Sequence, residues 1–214
     1  MGARCPAGLL LDFDGTLADT LSSLKSIYRT FLEERNSAPS DAEFDELNGV
    51  TLPQAIAVLR TRHGWDPSEA ELLAAYQARV RDLYPGTQPA RGARELLAFA
   101  RAQRMPVAVV TSGRRDEIAP WLERHGLLDD VAAIVGGDDV TRGKPDPEPY
   151  HAAARALGVR AGDCAAIEDS PIGARAALAA GAAVLLLAPA TLEGATPCAD
   201  LGDALAWLRR RCSG

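Results

Sequence analysis

The chain opens on a short apolar run, Gly8 to Phe13, that meets the acids Asp12 and Asp14 and then Gly15. A brief apolar run bounded by turn formers reads as a strand buried on both faces, delivering polar side chains at its carboxyl end. From Asp19 to about Arg81 the period changes. Leu24, Ile27, Phe31 and Leu32 recur at helical spacing, and helical stretches follow over Leu52–Arg62 and Ser68–Leu83 with no strand between them. Pro85-Gly86 breaks the helical region. Beyond it a helix is predicted over Gly92–Gln103, then a β-branched strand, Val107–Val110, ending at Thr111-Ser112-Gly113. Strands at Val131–Val135, Cys164–Ile167 and Ala182–Leu187 then alternate with helices near Arg115–His125, Glu148–Leu157 and Pro171–Ala180.

Alternating strands and helices after a purely helical stretch predict an α/β fold: a doubly wound parallel sheet, Rossmann-like, with a helical domain inserted after the first strand. The expected division is a core domain of residues 1–18 and 84–214 and an inserted helical domain of residues 19–83. Ligands of doubly wound sheets collect at the carboxyl ends of the strands. The polar residues just after each apolar run should therefore converge: Asp12 and Asp14, Thr111, Lys144, and Glu168 with Asp169.

Composition narrows the partners. A formal net charge of -6, without a block of Lys or Arg, gives no electrostatic drive toward a nucleic-acid backbone. No apolar stretch reaches the length of a membrane span, so no membrane partner is expected. Cys5, Cys164, Cys198 and Cys212 are scattered without CxxC spacing, resembling neither a disulfide framework nor a thiolate metal site. They point to reduced thiols and a cytoplasmic location. Oligomeric state is not encoded in any of these features.

The chemistry begins with Asp12 and Asp14, two residues apart and so on one side of an extended strand end. Close like charges favour a cation between them, and an all-oxygen site of this kind suits magnesium, which shares its coordination with a phosphate. A carboxylate can also attack phosphorus, while a second acid protonates the leaving group and later deprotonates water.

Asp12-Phe13-Asp14-Gly15-Thr16 resembles the first motif of the haloacid dehalogenase superfamily. Thr111 resembles its second motif, and Lys144 in Gly143-Lys144-Pro145-Asp146-Pro147 its third. Glu168-Asp169-Ser170, followed by Gly173, Ala176, Ala177, Ala180 and Gly181, resembles the fourth. All four stand in family order. The resemblance implies a magnesium-dependent phosphohydrolase that cleaves a small phosphate monoester through an aspartyl phosphate on Asp12. It implies Asp14 as acid and base, Thr111 as a hydroxyl on the phosphoryl group, and Lys144 as the balancing cation. Asp12, the Asp14 carbonyl and Asp169 would hold the metal, with Glu168 direct or through water. The resemblance also implies that the insertion, residues 19–83, is a helical cap; substrate contacts are expected from Gly15, Thr16, Ser112, Gly113 and Arg115, and from a cap loop, Asn48-Gly49-Val50-Thr51.

Alternatives stay open. A phosphosugar mutase of the β-phosphoglucomutase type is the nearest, but the places where such mutases carry a cap His and Arg hold Leu24 and Leu52. A non-catalytic binding protein on the same fold would have no evident need for both Asp12 and Asp14. Phosphoglycolate, sugar phosphates and nucleoside monophosphates are all open as substrates.

Overall fold

The computed structural model describes residues 4–187 and 192–213. Six parallel strands are ordered β3-β2-β1-β4-β5-β6: β1 (Gly8–Leu11), β2 (Val107–Val110), β3 (Ala133–Val135), β4 (Cys164–Glu168), β5 (Ala183–Leu186) and β6 (Ala195–Pro197). Strand β1 is central, pairing Leu9 with Val107 on one side and with Ala165 on the other. The chain leaves β1 toward β2 and β3, then crosses back to β4, so the order of winding reverses beside β1. That reversal leaves a crevice outside the carboxyl ends of the strands.

Side-chain alternation along the strands sorts the core into two layers. Leu9, Leu11, Val107, Val109, Ile167 and Leu185 face one cluster, which also takes in α5 (Ala93–Ala102), α6 (Arg115–Arg124) and α9 (Leu201–Cys212). Leu10, Ala108, Val110, Ala166, Val184 and Leu186 face the other, covered by α7 (Glu148–Ala156) and α8 (Pro171–Ala179). Helices on both faces explain why these strands are continuously apolar.

Between β1 and α5 lie four further helices: α1 (Leu21–Glu33), α2 (Asp41–Leu47), α3 (Leu52–His63) and α4 (Glu69–Leu83). Capping boxes at Thr51/Gln54 and Ser68/Glu71 fix where α3 and α4 start. Phe31 holds the bundle together, packing edge-on against Trp65 and Tyr76. The sequence reading lacked α2, β6 and α9.

One expectation is corrected here. Cys5 and Cys212, 207 positions apart, form a disulfide, while Cys164 and Cys198 are free and buried. Sequence spacing hid the pair because Cys5 leads into the central strand and Cys212 ends the helix that returns across the same layer. Tying two distant points restricts the unfolded chain far more than the folded one. Reducing the protein, or replacing Cys5 by Ser, should therefore lower unfolding stability by roughly 2–4 kcal/mol. Urea titrations should show a reductant effect in the wild-type chain and none in Cys5→Ser.

Candidate active site

The first site carboxylate, Asp12, follows β1 directly and is 6% exposed. Its backbone N–H donates to the Ile167 carbonyl, continuing the β1–β4 ladder one step past the strand. Opposite it, Lys144 reaches up from the loop before α7 and is 1% exposed. Its ammonium donates to Asp12 Oδ1 at 2.6 Å, Glu168 Oε1 at 2.5 Å and the Val110 carbonyl at 3.1 Å. Three acceptors match the three protons of an ammonium. Burial by itself would lower the pKa of this lysine, but the carboxylates of Asp12 and Glu168 more than offset it and the net direction is upward.

Glu168, the last residue of β4, is fully buried and accepts from Lys144, from the Tyr150 hydroxyl and from Ser170 Oγ at 3.3 Å. Ser170 Oγ also accepts the Gly173 N–H as the cap of α8. A Cβ at Gly173 would meet the Glu168 carboxylate at 2.0 Å, so this helix can approach the acid only with glycine there. The next residue, Asp169, packs against Gly15, whose φ of +79° and lack of a Cβ leave room for the carboxylate.

Burial pushes the Asp169 carboxyl up to about 7, helped by the negative charge of Glu168. Asp12 is likewise raised by burial, then by Glu168, with Lys144 acting against both. Burial also raises Asp14 to about 6, while hydrogen bonds from Thr20 and Tyr84 pull it back. Tyr84 donates to the Asp14 carboxylate, 3.2 Å from Oδ2. Asp12, Glu168 and Asp169 each offer an oxygen within 4.8 Å of the others. Buried acids crowded to this degree, with one ammonium among them, suit a hard cation that takes oxygen ligands.

Thr111, at the end of β2, is buried and its Oγ1 accepts the Gly113 N–H at 3.0 Å. The loop between α2 and α3 then meets the strand ends. Asn48 donates to Asp169 at 3.0 Å, and Ser112 Oγ donates to the Gly49 carbonyl at 2.6 Å. Gly49 has a φ of +98°, and a Cβ there would meet Ser170 Oγ at 2.5 Å. Beneath this loop lies a cavity of about 380 Å³, bounded by Asp12, Asp14, Asp169 and Thr111 on the core side.

Most sequence-picked residues meet at this cavity: Asp12, Asp14, Asp169, Thr111, Ser112 and Gly113 from the strand ends, and Asn48, Gly49, Val50 and Thr51 from the loop between α2 and α3. Lys144 and Glu168 lie just behind Asp12. Three residues fall elsewhere. Arg115 is exposed at the first position of α6 and does not line the cavity, whereas its neighbour Arg114 does. Gly15 supports Asp169 from behind. Thr16 is buried away from the cavity with no partner for its Oγ1. Tyr84 and Tyr150 were missed, since a tyrosine near a helix end and another on an apolar helix face carry no sequence sign of a carboxylate partner.

An acid-lined cavity at the carboxyl edge of a doubly wound sheet, with an ammonium pinned beneath one acid, defines an α/β enzyme built around carboxylate chemistry. Residues 9–187 match the family model of the haloacid dehalogenase-like hydrolases, and the chain belongs to that family. It is similar to validoxylamine A 7'-phosphate phosphatase of Streptomyces hygroscopicus subsp. limoneus, with 34% identity over 80% of this chain and 81% of that protein. Hexitol phosphatase A of Escherichia coli is 32% identical over 87% of this chain and 85% of its own length. Among solved structures, β-phosphoglucomutase from Clostridium difficile superposes with a TM-score of 0.84, covering 97% of each chain at 15% identity, a likeness of fold alone. The chain is a phosphatase of this family, a phosphoric monoester hydrolase acting on small phosphate esters. Such enzymes share an aspartyl-phosphate mechanism and generally use magnesium.

Proposed function

We propose that Asp12 is the nucleophile, Asp14 the general acid and base, Lys144 the charge-balancing cation and Thr111 a phosphoryl ligand. The observation that carries this reading is the Lys144 ammonium held between Asp12 and Glu168. It fixes one Asp12 oxygen and keeps the carboxylate at the cavity floor. In the first step an Asp12 oxygen bonds to phosphorus as the ester P–O bond breaks, and Asp14 gives its proton to the departing oxygen. In the second, Asp14 takes a proton from water as the water oxygen attacks phosphorus and the Asp12–phosphorus bond breaks. Tyr84 orients Asp14 for both transfers, and the N–H groups after Asp12 and Thr111 face the phosphoryl oxygens.

Asp12, Asp169 and the Asp14 carbonyl would hold magnesium, with Glu168 acting from behind because its oxygens already accept three hydrogen bonds. The metal would offset charge on an anionic ester approaching these acids. Residues 19–83 serve as a cap domain over a core of 1–18 and 84–214, and its closure excludes water. Among the described residues no helix is long and apolar enough to cross a membrane. We keep the cytoplasm as the proposed location on the small-metabolite chemistry, with the Cys5–Cys212 pair as the feature that opposes it.

Hydrolysis of 4-nitrophenyl phosphate should fall to background after exhaustive chelation and return on adding magnesium. Full activity after chelation would contradict the metal assignment.

A further inference from the structure

Resting on the phosphatase reading, we infer that this cavity selects monoesters whose leaving group carries no second anion, an uncharged alcohol rather than a carboxylate-bearing or phosphate-bearing one.

The cavity has two unlike halves. Its floor gathers the groups that meet the phosphoryl end. Its roof and rim, which must meet the leaving group, come from the cap and from the loops after β2 and β3. The roof is apolar, with Leu24, Phe44, Leu47, Leu52 and Val80 among its lining, and its polar groups include the neutral amides of Gln54 and Gln77. Among the described residues that line the cavity, Arg114 is the sole cation.

Arg114 is already engaged. Its Nε and Nη2 donate to the two Asp116 oxygens at 3.0 and 2.9 Å, a bidentate pairing, and Nη2 also lies 3.7 Å from Asp138. Two acids share the rim with it. Asp138 accepts the Arg115 backbone N–H, and Glu117 stands 3.7 Å from Arg81, a residue of the neighbouring cleft. A carboxylate on the leaving group would thus enter a wall that is apolar above and acidic at the side, where the one cation among the described lining residues, Arg114, is already paired with Asp116. Such a charge costs far more to desolvate than a hydroxyl, which the amides can bond. Phosphoglycolate and aldonate phosphates are disfavoured on this account, and alditol, cyclic or aryl monophosphates are favoured.

Matched pairs test this in the intact magnesium-loaded enzyme: hexitol 6-phosphate against 6-phosphogluconate, and phenyl phosphate against 4-carboxyphenyl phosphate. Each pair differs by one carboxylate far from the reacting bond. The neutral member should show the higher kcat/KM by roughly tenfold or more in both pairs. Glu117→Gln, which removes a rim charge, and Leu47→Arg, which adds a cation to the roof, should each narrow the ratio while the neutral ester remains a substrate. Equal or faster turnover of the carboxylated members by the wild-type enzyme would overturn the inference and leave the phosphatase reading standing, as would ratios unmoved in both variants. Failure to hydrolyse any of the four esters would remove the phosphatase reading and this inference together.

Discussion

Replacing Asp12 by Asn should lower kcat by roughly 10⁴-fold or more, because an amide oxygen is a poor nucleophile and cannot carry the phosphoryl group through two displacements. The fold should not suffer. The Asn carbonyl can still accept from Lys144, and the change removes a carboxylate that burial and Glu168 both disfavour in its charged form. Thermal unfolding of Asp12→Asn is therefore expected at or above the wild-type midpoint. Loss of activity with undiminished stability separates a chemical role from a structural one, since active centres commonly hold charge at the expense of stability. Turnover near the wild-type rate would end the assignment.

The second large effect belongs to Lys144, and here activity and stability should fall together. Lys144→Ala removes the ammonium from between two buried carboxylates, leaving Asp12 and Glu168 facing each other without their counter-charge. Stripping one partner from a buried ion pair costs about 3–5 kcal/mol. The same change frees the Asp12 carboxylate from its anchor and leaves charge on the phosphoryl group unbalanced, so kcat should drop by roughly 10²–10³-fold. Lys25 supplies the control. Its ammonium pairs with the exposed Asp41 at 3.0 Å on the outside of the cap, and Lys25→Ala should change neither property appreciably. Equal losses in the two variants, measured by kinetics and urea denaturation in parallel, would contradict the role given to Lys144.

The parts of this site legible in the sequence are those where a strand ends. An apolar run followed at once by a polar residue marks both the strand and the side chain it projects. Asp12 after β1, Thr111 after β2 and the Glu168-Asp169 pair at the end of β4 were all readable in this way. Helix α9 carried a signal as well, with Asp200 capping its start and Leu201, Ala204, Leu205 and Leu208 at helical spacing, yet the expectation of alternating elements stops at Leu187. Contacts that close the site were not legible. Asn48 meets Asp169 across 121 positions, and Tyr150 meets Glu168 from a helix whose apolar pattern already accounts for it. The choice between Arg114 and Arg115 turned on one residue at the start of α6, finer than sequence patterns resolve.

The central claim is that the ester is cleaved between phosphorus and oxygen and that water, not a second sugar hydroxyl, is the final phosphoryl acceptor. Incubating the magnesium-loaded enzyme with a sugar monophosphate in ¹⁸O-labelled water tests it most directly. One ¹⁸O should appear in each inorganic phosphate released, the alcohol should remain unlabelled, and little positional isomer of the substrate should form. Isomerisation without phosphate release would contradict the hydrolase account and turn the reading toward a mutase. Label in the alcohol would place the broken bond between carbon and oxygen and remove Asp12 as a phosphoryl acceptor.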